Sequence, residues 1–351
     1  MSDLSTPPQT KNAGASDARR RWIWLFLKWA LCLLVVAFVA KRGYELWSAD
    51  EGQFELAEVQ PGWLVLAGCV YLIGWMPSVW FWLKLMSRSG GDEIRFDFGA
   101  RAYYCGHLGK YVPGKAMVLV IRAALVKEYV SRATFAALMA AYETLLFMGS
   151  GLAVALALLP ATVLALLPQA ARPDWLQSAA NDAWIPCVVI ALLCLLALPI
   201  ISRFLTLIAD KMAPRESGQD DASSRIPARL VGAGLLAFLV SWSIHGLSLG
   251  LTIRSVSSES FSLVDWPVWT GAVAMATSVG FLMIFAPGGI GVREGLLIEV
   301  LANQPDIGER QAVVVALLLR IVWFVAEIGA AAALYYCVRP NNFRSESPLN
   351  Q

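Results

Sequence analysis

Residues 63–83 read WLVLAGCVYLIGWMPSVWFWL and contain no charged side chain. A helix needs about 20 predominantly apolar residues to cross the hydrocarbon core of a bilayer, so this stretch predicts a membrane-spanning helix. The whole chain has the same character, because 58% of its 351 residues are hydrophobic and only 15% are charged. Soluble domains carry about 25% charged residues. We therefore expect an all-α integral membrane protein, built as a polytopic transmembrane helix bundle.

Other stretches have the length and composition of spans. Together with 63–83 they predict six full spans, the others being residues 22–40, 133–159, 183–202, 230–253 and 311–338. Residues 1–21 are rich in Ser, Thr, Pro and Asn, which is typical of a disordered tail. We expect a cytoplasmic tail over 1–21, a transmembrane domain over 22–340 and a short cytoplasmic tail over 341–351.

Two apolar stretches do not have the properties of simple spans. Residues 266–286 predict a long helix, but the breaker run PGGIG at 287–291 follows it, and then a helix over 292–302. Such a short helix rises about 1.5 Å per residue and cannot cross a core of about 30 Å. Residues 96–126 carry more charge than a lipid-facing helix tolerates: Asp97, Arg101, His107, Lys110, Lys115 and Arg122. Both stretches predict re-entrant hairpins, although 266–286 is also long enough to span.

The distribution of basic residues predicts how these segments are oriented. Arg19, Arg20 and Arg21 place the N-terminus in the cytoplasm by the positive-inside rule. The first hairpin then enters from the cytoplasmic side and the second from the outside, which leaves the C-terminus in the cytoplasm. Span, hairpin and span over 63–159 thus run opposite to span, hairpin and span over 230–338. This predicts two inverted units, an arrangement in which transporters bind substrate near the midplane.

The first hairpin contains the motif GHLGKYVPGK at residues 106–115. Pro113 should stop the preceding helix, and the glycines Gly109 and Gly114 permit a tight tip. The helix that follows presents free N–H groups to an anion. The interpretation is a phosphate-binding tip, and the alternative is an interfacial turn whose lysines only touch the anionic lipid surface. The basic residues assigned to phosphate here are Lys110, Lys115 and Arg122.

The second hairpin contains the motif APGGIGVREG at residues 286–295. Its tip residues, which allow the backbone to unwind near a ligand, are Pro287, Gly288, Gly289 and Gly291. Arg293 lies in the first turn of the next helix, where a cation is unfavourable unless an anion compensates it. Arg293 is therefore a candidate phosphate ligand, and the alternative is a structural pair with Glu294.

Charged residues elsewhere in the spans need partners or a polar cavity. Arg320 is a further candidate phosphate ligand, and Glu143, Glu294, Glu299 and Glu327 are candidate charge partners or gating residues. We expect Arg320 to pair with Glu294 or Glu299, and Glu327 to pair with Arg293 or Lys115. Structural pairing remains an alternative to substrate contact, as does a proton-coupling role for Glu143.

Other polar and aromatic residues suggest no further chemistry. His245 is expected to form a hydrogen bond between helices, and the tryptophans of residues 75–82 are expected to form an interfacial belt. The six cysteines form no CxxC pair, so neither a zinc site nor a disulfide framework is predicted. A net charge of +2 predicts no nucleic-acid partner. No metal and no cofactor are expected.

The segments KYVPGK at 110–115 and PGGIGVRE at 287–294 resemble the two signature segments of the lysylphosphatidylglycerol synthase transmembrane-region family, whose free-standing members are called flippase-like. The resemblance extends over about residues 22–340, and Arg320 with Glu327 also fits the family pattern. It implies a helix bundle with re-entrant helices, in the bacterial inner (cytoplasmic) membrane, that moves a lipid between leaflets. In the full-length synthases a separate soluble domain performs lysyl transfer, and these residues contain no such domain. We therefore do not expect aminoacyl transfer.

The sequence thus favours a protein that binds and translocates an anionic lipid, either a phospholipid or a lipid linked through polyprenyl phosphate. One alternative is a membrane-embedded transferase with a glutamate as base. Another is a non-catalytic membrane partner of a separately encoded lipid-modifying enzyme. The lipid, the direction of movement, the energy source and the oligomeric state are left open.

Overall fold

The fold is known from a computed structural model of the chain. It describes residues 59–87, 94–112, 116–127, 129–130, 133–167, 171–182, 184–212, 226–257, 262–283, 289–304 and 307–338, with six single positions between 37 and 48. The predicted tails and nearly all of the predicted first span, 22–40, lie outside these residues.

Every long regular element in the described residues is an α-helix, which confirms the all-α fold class. Regular helices satisfy all of their own backbone groups, as lipid requires. The helices are α1 (Pro61–Gly74), α2 (Met76–Met86), α3 (Phe96–His107), α4 (Met117–Val126), α5 (Ala133–Ala157), α6 (Leu159–Leu166), α7 (Asp174–Asn181), α8 (Trp184–Met212), α9 (Ala228–Val256), α10 (Trp266–Leu282), α11 (Val292–Ala302) and α12 (Glu309–Cys337).

Five segments of the described chain are long and apolar enough to cross a membrane. They are α1 with α2, then α5, α8, α9 and α12, and each coincides with a predicted span. The first of them is interrupted at Trp75, between the end of α1 at Gly74 and the start of α2 at Met76, and Pro77 lies in the first turn of α2. Proline cannot continue the hydrogen-bond ladder of the preceding turn, which explains the interruption.

Both predicted hairpins consist of two short helices in contact with each other. In the first hairpin, α3 and α4 would each reach only about 15–18 Å at 1.5 Å per residue. In the second, α10 ends at Leu282 rather than at the predicted residue 286, and Met283 is no longer helical. At about 25 Å, α10 is shorter than a hydrocarbon core of about 30 Å. The early end of α10 favours a re-entrant element over a full span.

The helices pack in two sets with equivalent contacts. The first unit is α1–α2, the hairpin α3–α4 and α5; the second is α9, the hairpin α10–α11 and α12. Helix α1 packs against α9, α3 packs against α12, and α10 packs against α5. Within each unit the second helix of the hairpin packs against the last span. Two units related by an approximate two-fold axis would exchange contacts in this way, as the predicted inverted arrangement requires.

Close packing of α9 on α10 depends on small residues. A Cβ added at Gly246 would lie 2.7 Å from the Cα of Thr270. We expect Gly246→Ala to lower the free energy of unfolding by about 1–3 kcal/mol, because backbone must move to relieve the overlap. Gly329→Ala is the control, since nothing lies within 4 Å of its added Cβ. Thermal unfolding of the detergent-solubilised protein measures both, and equal midpoints would contradict the prediction.

Candidate functional site

A cavity of about 360 Å³ lies where the two hairpins meet the spans. Basic residues of both hairpins line it: Lys110 and Arg122 from the first, and Arg293 from the second. These are three of the five residues predicted to bind phosphate, brought together from distant parts of the chain. Since charge within a membrane bundle marks substrate pathways, this cavity is the candidate site.

Arg122 is neutralised by Glu143. Both side chains are about 1% exposed, and Arg122 Nη1 lies 2.7 Å from Glu143 Oε2. The hydroxyl of Tyr103 donates to the other carboxylate oxygen at 2.8 Å, and the Arg122 guanidinium lies 3.7 Å from the centre of the Tyr103 ring. The pair joins α4 to α5 within the first unit. Its burial and its contacts with Tyr103 give it a structural role in addition to its position at the cavity.

Lys110 is neutralised by Glu327 and so links the two units. Lys110 belongs to a short 3-10 helix (Leu108–Tyr111) that follows α3. Its Nζ lies 2.5 Å from Glu327 Oε1. The hydroxyls of Tyr71 and Tyr111 also donate to this carboxylate, the latter at 3.0 Å. The expected partner of Glu327 was Arg293 or Lys115; the 3-10 turn instead brings Lys110 to it, and Lys115 lies outside the described residues.

Arg293 differs from the other two cations. Within the part of the chain that the structure describes, no carboxylate forms an ion pair with it. Its Nε is buried and has no hydrogen-bond partner there. Three cations and two carboxylates, Glu143 and Glu327, therefore leave the described site with one positive charge. The sequence predicted that an anion compensates Arg293 at the start of α11. Among the described residues, no carboxylate of the protein forms that ion pair.

Both cavity arginines lie against a glycine of the other helix in their hairpin. A Cβ added at Gly106 would meet Arg122 Cγ at 2.4 Å, and one added at Gly280 would meet Arg293 Cγ at 2.7 Å. The hairpins thus share a glycine–arginine contact, although their sequences have little else in common. Only the arginine of the first hairpin has a carboxylate partner among the described residues.

Arg320 lies beside the cavity rather than in it. It pairs with Glu294 at 3.4 Å, which is one of the two expected pairings. Glu294 also accepts a hydrogen bond from the Gly291 amide at 2.7 Å and so caps α11. A small adjoining cavity of about 20 Å³ contacts Arg293, Glu294 and Arg320. Arg320 thereby holds the start of α11, the helix that carries Arg293.

Aromatic residues form much of the cavity wall, and the sequence did not indicate this. The rings involved are Tyr71, Trp75, Tyr103, Phe147, Trp242 and Trp323. Trp75 and Trp82 were expected in an interfacial belt, but they are only 6% and 0% exposed. The prediction is wrong for these two because α3 and α5 cover the segment that carries them.

Besides the Nε atoms of Arg122 and Arg293, two polar atoms in the wall have no hydrogen-bond partner in the described structure. They are Trp75 Nε1 and His245 Nε2, on side chains that are 6% and 2% exposed. His245 was expected to bond to a neighbouring helix through its ring. Its ring does form such a bond, with the backbone of Tyr71 in α1, while its Nε2 lies against Gly74 of the same helix, where an added Cβ would lie 2.7 Å away. Buried polar atoms without partners are uncommon and mark places where a ligand or water binds.

Of the remaining predicted residues, some lie at the hairpins, one lies away from the cavity and others fall outside the described residues. Gly109 lies against the backbone of α4, where a Cβ would meet Val118 N at 2.6 Å. Gly289 and Gly291 have φ values of 72° and 89°, which require glycine. Glu299 accepts from Asn303 through its backbone carbonyl and does not line the cavity. The residues that lie outside the described structure are Pro113, Gly114, Lys115, Pro287 and Gly288.

The cavity reaches the outer surface of the bundle through apolar side chains. Leu145 lines it and is 61% exposed, and Leu119 and Phe281 line it while partly buried. These residues belong to α4, α5 and α10. The site thus has a charged and aromatic interior and an apolar exit, which matches the two ends of a lipid.

We expect Glu327→Gln to loosen the first hairpin. The carboxylate collects three donors, and removing its charge leaves Lys110 without an ionic partner. Hydrogen bonds to charged groups contribute about 1.5–3 kcal/mol each. Hydrogen exchange should rise in residues 108–112 and leave α8 unchanged. Glu309→Gln, at the start of the same helix α12, is the control, and equal exchange in both variants would contradict the expectation.

Comparison with known proteins identifies one family. Residues 22–329 match the family described as the lysylphosphatidylglycerol synthase TM region. No curated protein matches the chain.

Proposed function

We propose that this chain, which belongs to the lysylphosphatidylglycerol synthase TM region family, binds an anionic lipid by its headgroup and moves it between leaflets. The family and the helices identify a membrane protein. The lipid-translocating activity is our proposal, and it rests on the cavity.

The observation that carries the proposal is the continuity between cavity-lining cations and an apolar exit. Lys110, Arg122 and Arg293 line the same cavity as Leu145, which faces outward from the bundle. A headgroup in the cavity could keep its acyl or prenyl chains in the lipid phase beside α4, α5 and α10. Water-soluble substrates have no use for an apolar exit of this kind.

The charge of the site supports an anion over a cation or a zwitterion. Arg293 contributes a positive charge that no described carboxylate neutralises. Even partial burial of an unpaired charge is costly, and binding of a phosphate would remove that cost. Arginine also offers a planar pair of donors that matches phosphate oxygens.

The two hairpins provide elements that could move. Lys110 joins the first hairpin to the last span of the second unit through Glu327. A phosphate entering the cavity would compete with Glu327 for Lys110, and release of this contact would free the first hairpin. We place both termini in the cytoplasm and the protein in the inner membrane. Energy would come from a gradient or from consumption of the lipid by a separately encoded enzyme.

A leaflet-accessibility assay in proteoliposomes tests the proposal. Fluorescent phosphatidylglycerol and phosphatidylcholine are incorporated into separate vesicles, and an impermeant quencher reports the lipid that reaches the outer leaflet. We expect the protein to accelerate the movement of phosphatidylglycerol to the outer leaflet. The movement of phosphatidylcholine should stay near its rate in protein-free vesicles. The assay is repeated with a polyprenyl-phosphate probe, and no acceleration for any anionic lipid would overturn the proposal.

A further inference from the structure

We infer that the headgroup is a single sugar joined to its lipid through a phosphodiester. The inference deepens the proposed function and rests on it. It comes from the charge, the free polar atoms, the rings and the size of the cavity.

The charge of the site fits a monoanion. The described residues leave one positive charge unmatched, on Arg293, after Lys110 and Arg122 are paired. A terminal phosphate carries about −1.5 to −2 charges at neutral pH, whereas a phosphodiester carries one. A phosphodiester therefore balances the described site, whereas a terminal phosphate adds negative charge that no unpaired cation among the described residues matches.

The free polar atoms of the wall fit hydroxyl groups. Trp75 Nε1 can only donate a hydrogen bond, and it has no acceptor in the described structure. His245 Nε2 is free as well and can donate or accept, depending on the tautomer. Sugar hydroxyls do both and would satisfy both atoms. Glu143, the carboxylate in the described wall, already binds Arg122 and Tyr103 and is therefore not free to neutralise an amine-bearing headgroup.

The rings supply flat apolar surface next to these polar atoms. Trp75 lies between His107 and Phe147, with ring centres 4.1 Å and 4.8 Å away. A pyranose ring presents C–H groups on its faces and hydroxyls at its edge, which suits a wall that is aromatic with isolated polar atoms. Aromatic cages also bind quaternary ammonium groups, but the positive charge of this site disfavours such a ligand.

The size of the cavity suits a headgroup of one sugar. Its volume of about 360 Å³ is at the small end of ligand pockets, which range over about 300–1,000 Å³. A monosaccharide with its phosphate fits such a space.

Lipid binding to the purified full chain in nanodiscs tests the inference. The radiolabelled probes are a polyprenyl-phosphoryl hexose, the corresponding polyprenyl monophosphate and phosphatidylglycerol. We expect the hexose lipid to bind at least about tenfold more tightly than the other two, the difference that one or two good hydrogen bonds make. Equal or tighter binding of the monophosphate or of phosphatidylglycerol would overturn the inference.

Trp75→Phe separates a sugar contact from a loss of fold. The variant keeps an aromatic ring and removes the free N–H. It should therefore weaken binding of the hexose lipid about fivefold and leave the affinity for the other two probes unchanged. Trp82→Phe is the matched control, because Trp82 is equally buried, has a free Nε1 and does not line the cavity. An equal loss for all probes would contradict a sugar contact.

The two proposals fail in different ways. If the protein accelerates the transfer of anionic lipids between leaflets but binds the hexose lipid no more tightly than the other probes, the sugar inference is wrong and translocation stands. If no anionic lipid is accelerated, both are wrong.

Discussion

Glu143→Leu is expected to lower the free energy of unfolding by about 3–5 kcal/mol, the cost of leaving one member of a buried ion pair alone. Arg122 and Glu143 are each about 1% exposed and lie 2.7 Å apart. After the substitution, the Arg122 guanidinium keeps its ring contacts with Tyr103 and Trp82 and a 3.5 Å contact with His107, but no carboxylate among the described residues pairs with it. Denaturant or thermal unfolding of the detergent-solubilised protein measures the loss.

A double variant shows whether the unpaired charge causes the loss. Arg122→Met with Glu143→Leu removes both charges, and paired replacement by apolar residues is often neutral or stabilising. We expect it to recover most of the stability, apart from about 1–3 kcal/mol for the Tyr103 hydroxyl, which loses its acceptor. If the effects of the two single substitutions simply add in the double variant, the ion pair is not the cause.

The spans and hairpins were predictable because each follows from local composition. Uncharged runs of about 20 residues identify spans wherever they occur, and the predicted spans within the described chain are helices there. The hairpins followed from Pro–Gly tips and from charges too numerous for lipid. The end of α10 was not predictable to the residue: the chain remains apolar up to Ala286, but the helix stops at Leu282.

The site itself was only partly predictable. The need of a charge within a span for a partner suggested that Arg320 pairs with Glu294 or Glu299, and the pair with Glu294 is present. The partner of Arg122 depends on how α4 folds back on α5, and the partner of Lys110 depends on contact between the two units. Trp75 was misplaced for the same reason, since only tertiary packing decides whether a tryptophan meets lipid or protein.

Arg293→Gln is expected to reduce the translocation of anionic lipid about 10- to 100-fold, the effect of losing one charge-assisted hydrogen bond of about 1.5–3 kcal/mol. Arg293 is the cavity cation without a carboxylate partner among the described residues. Its removal takes away the net positive charge that attracts phosphate. The proteoliposome assay measures the rate, and Arg203→Gln, at an exposed position of α8, is the control that should stay within about twofold of the parent.

Arg293→Gln should lower the translocation rate without lowering the unfolding temperature. A partly buried charge whose Nε has no partner is unfavourable in the empty site, so Arg293→Gln should unfold at the same temperature as the parent or higher. Arg122→Gln should unfold at a lower temperature, because Glu143 would then be the buried charge left alone. Residues kept for ligand binding at a cost in stability have this signature. A clear loss of stability in Arg293→Gln would instead make Arg293 a structural residue and remove it from the lipid site.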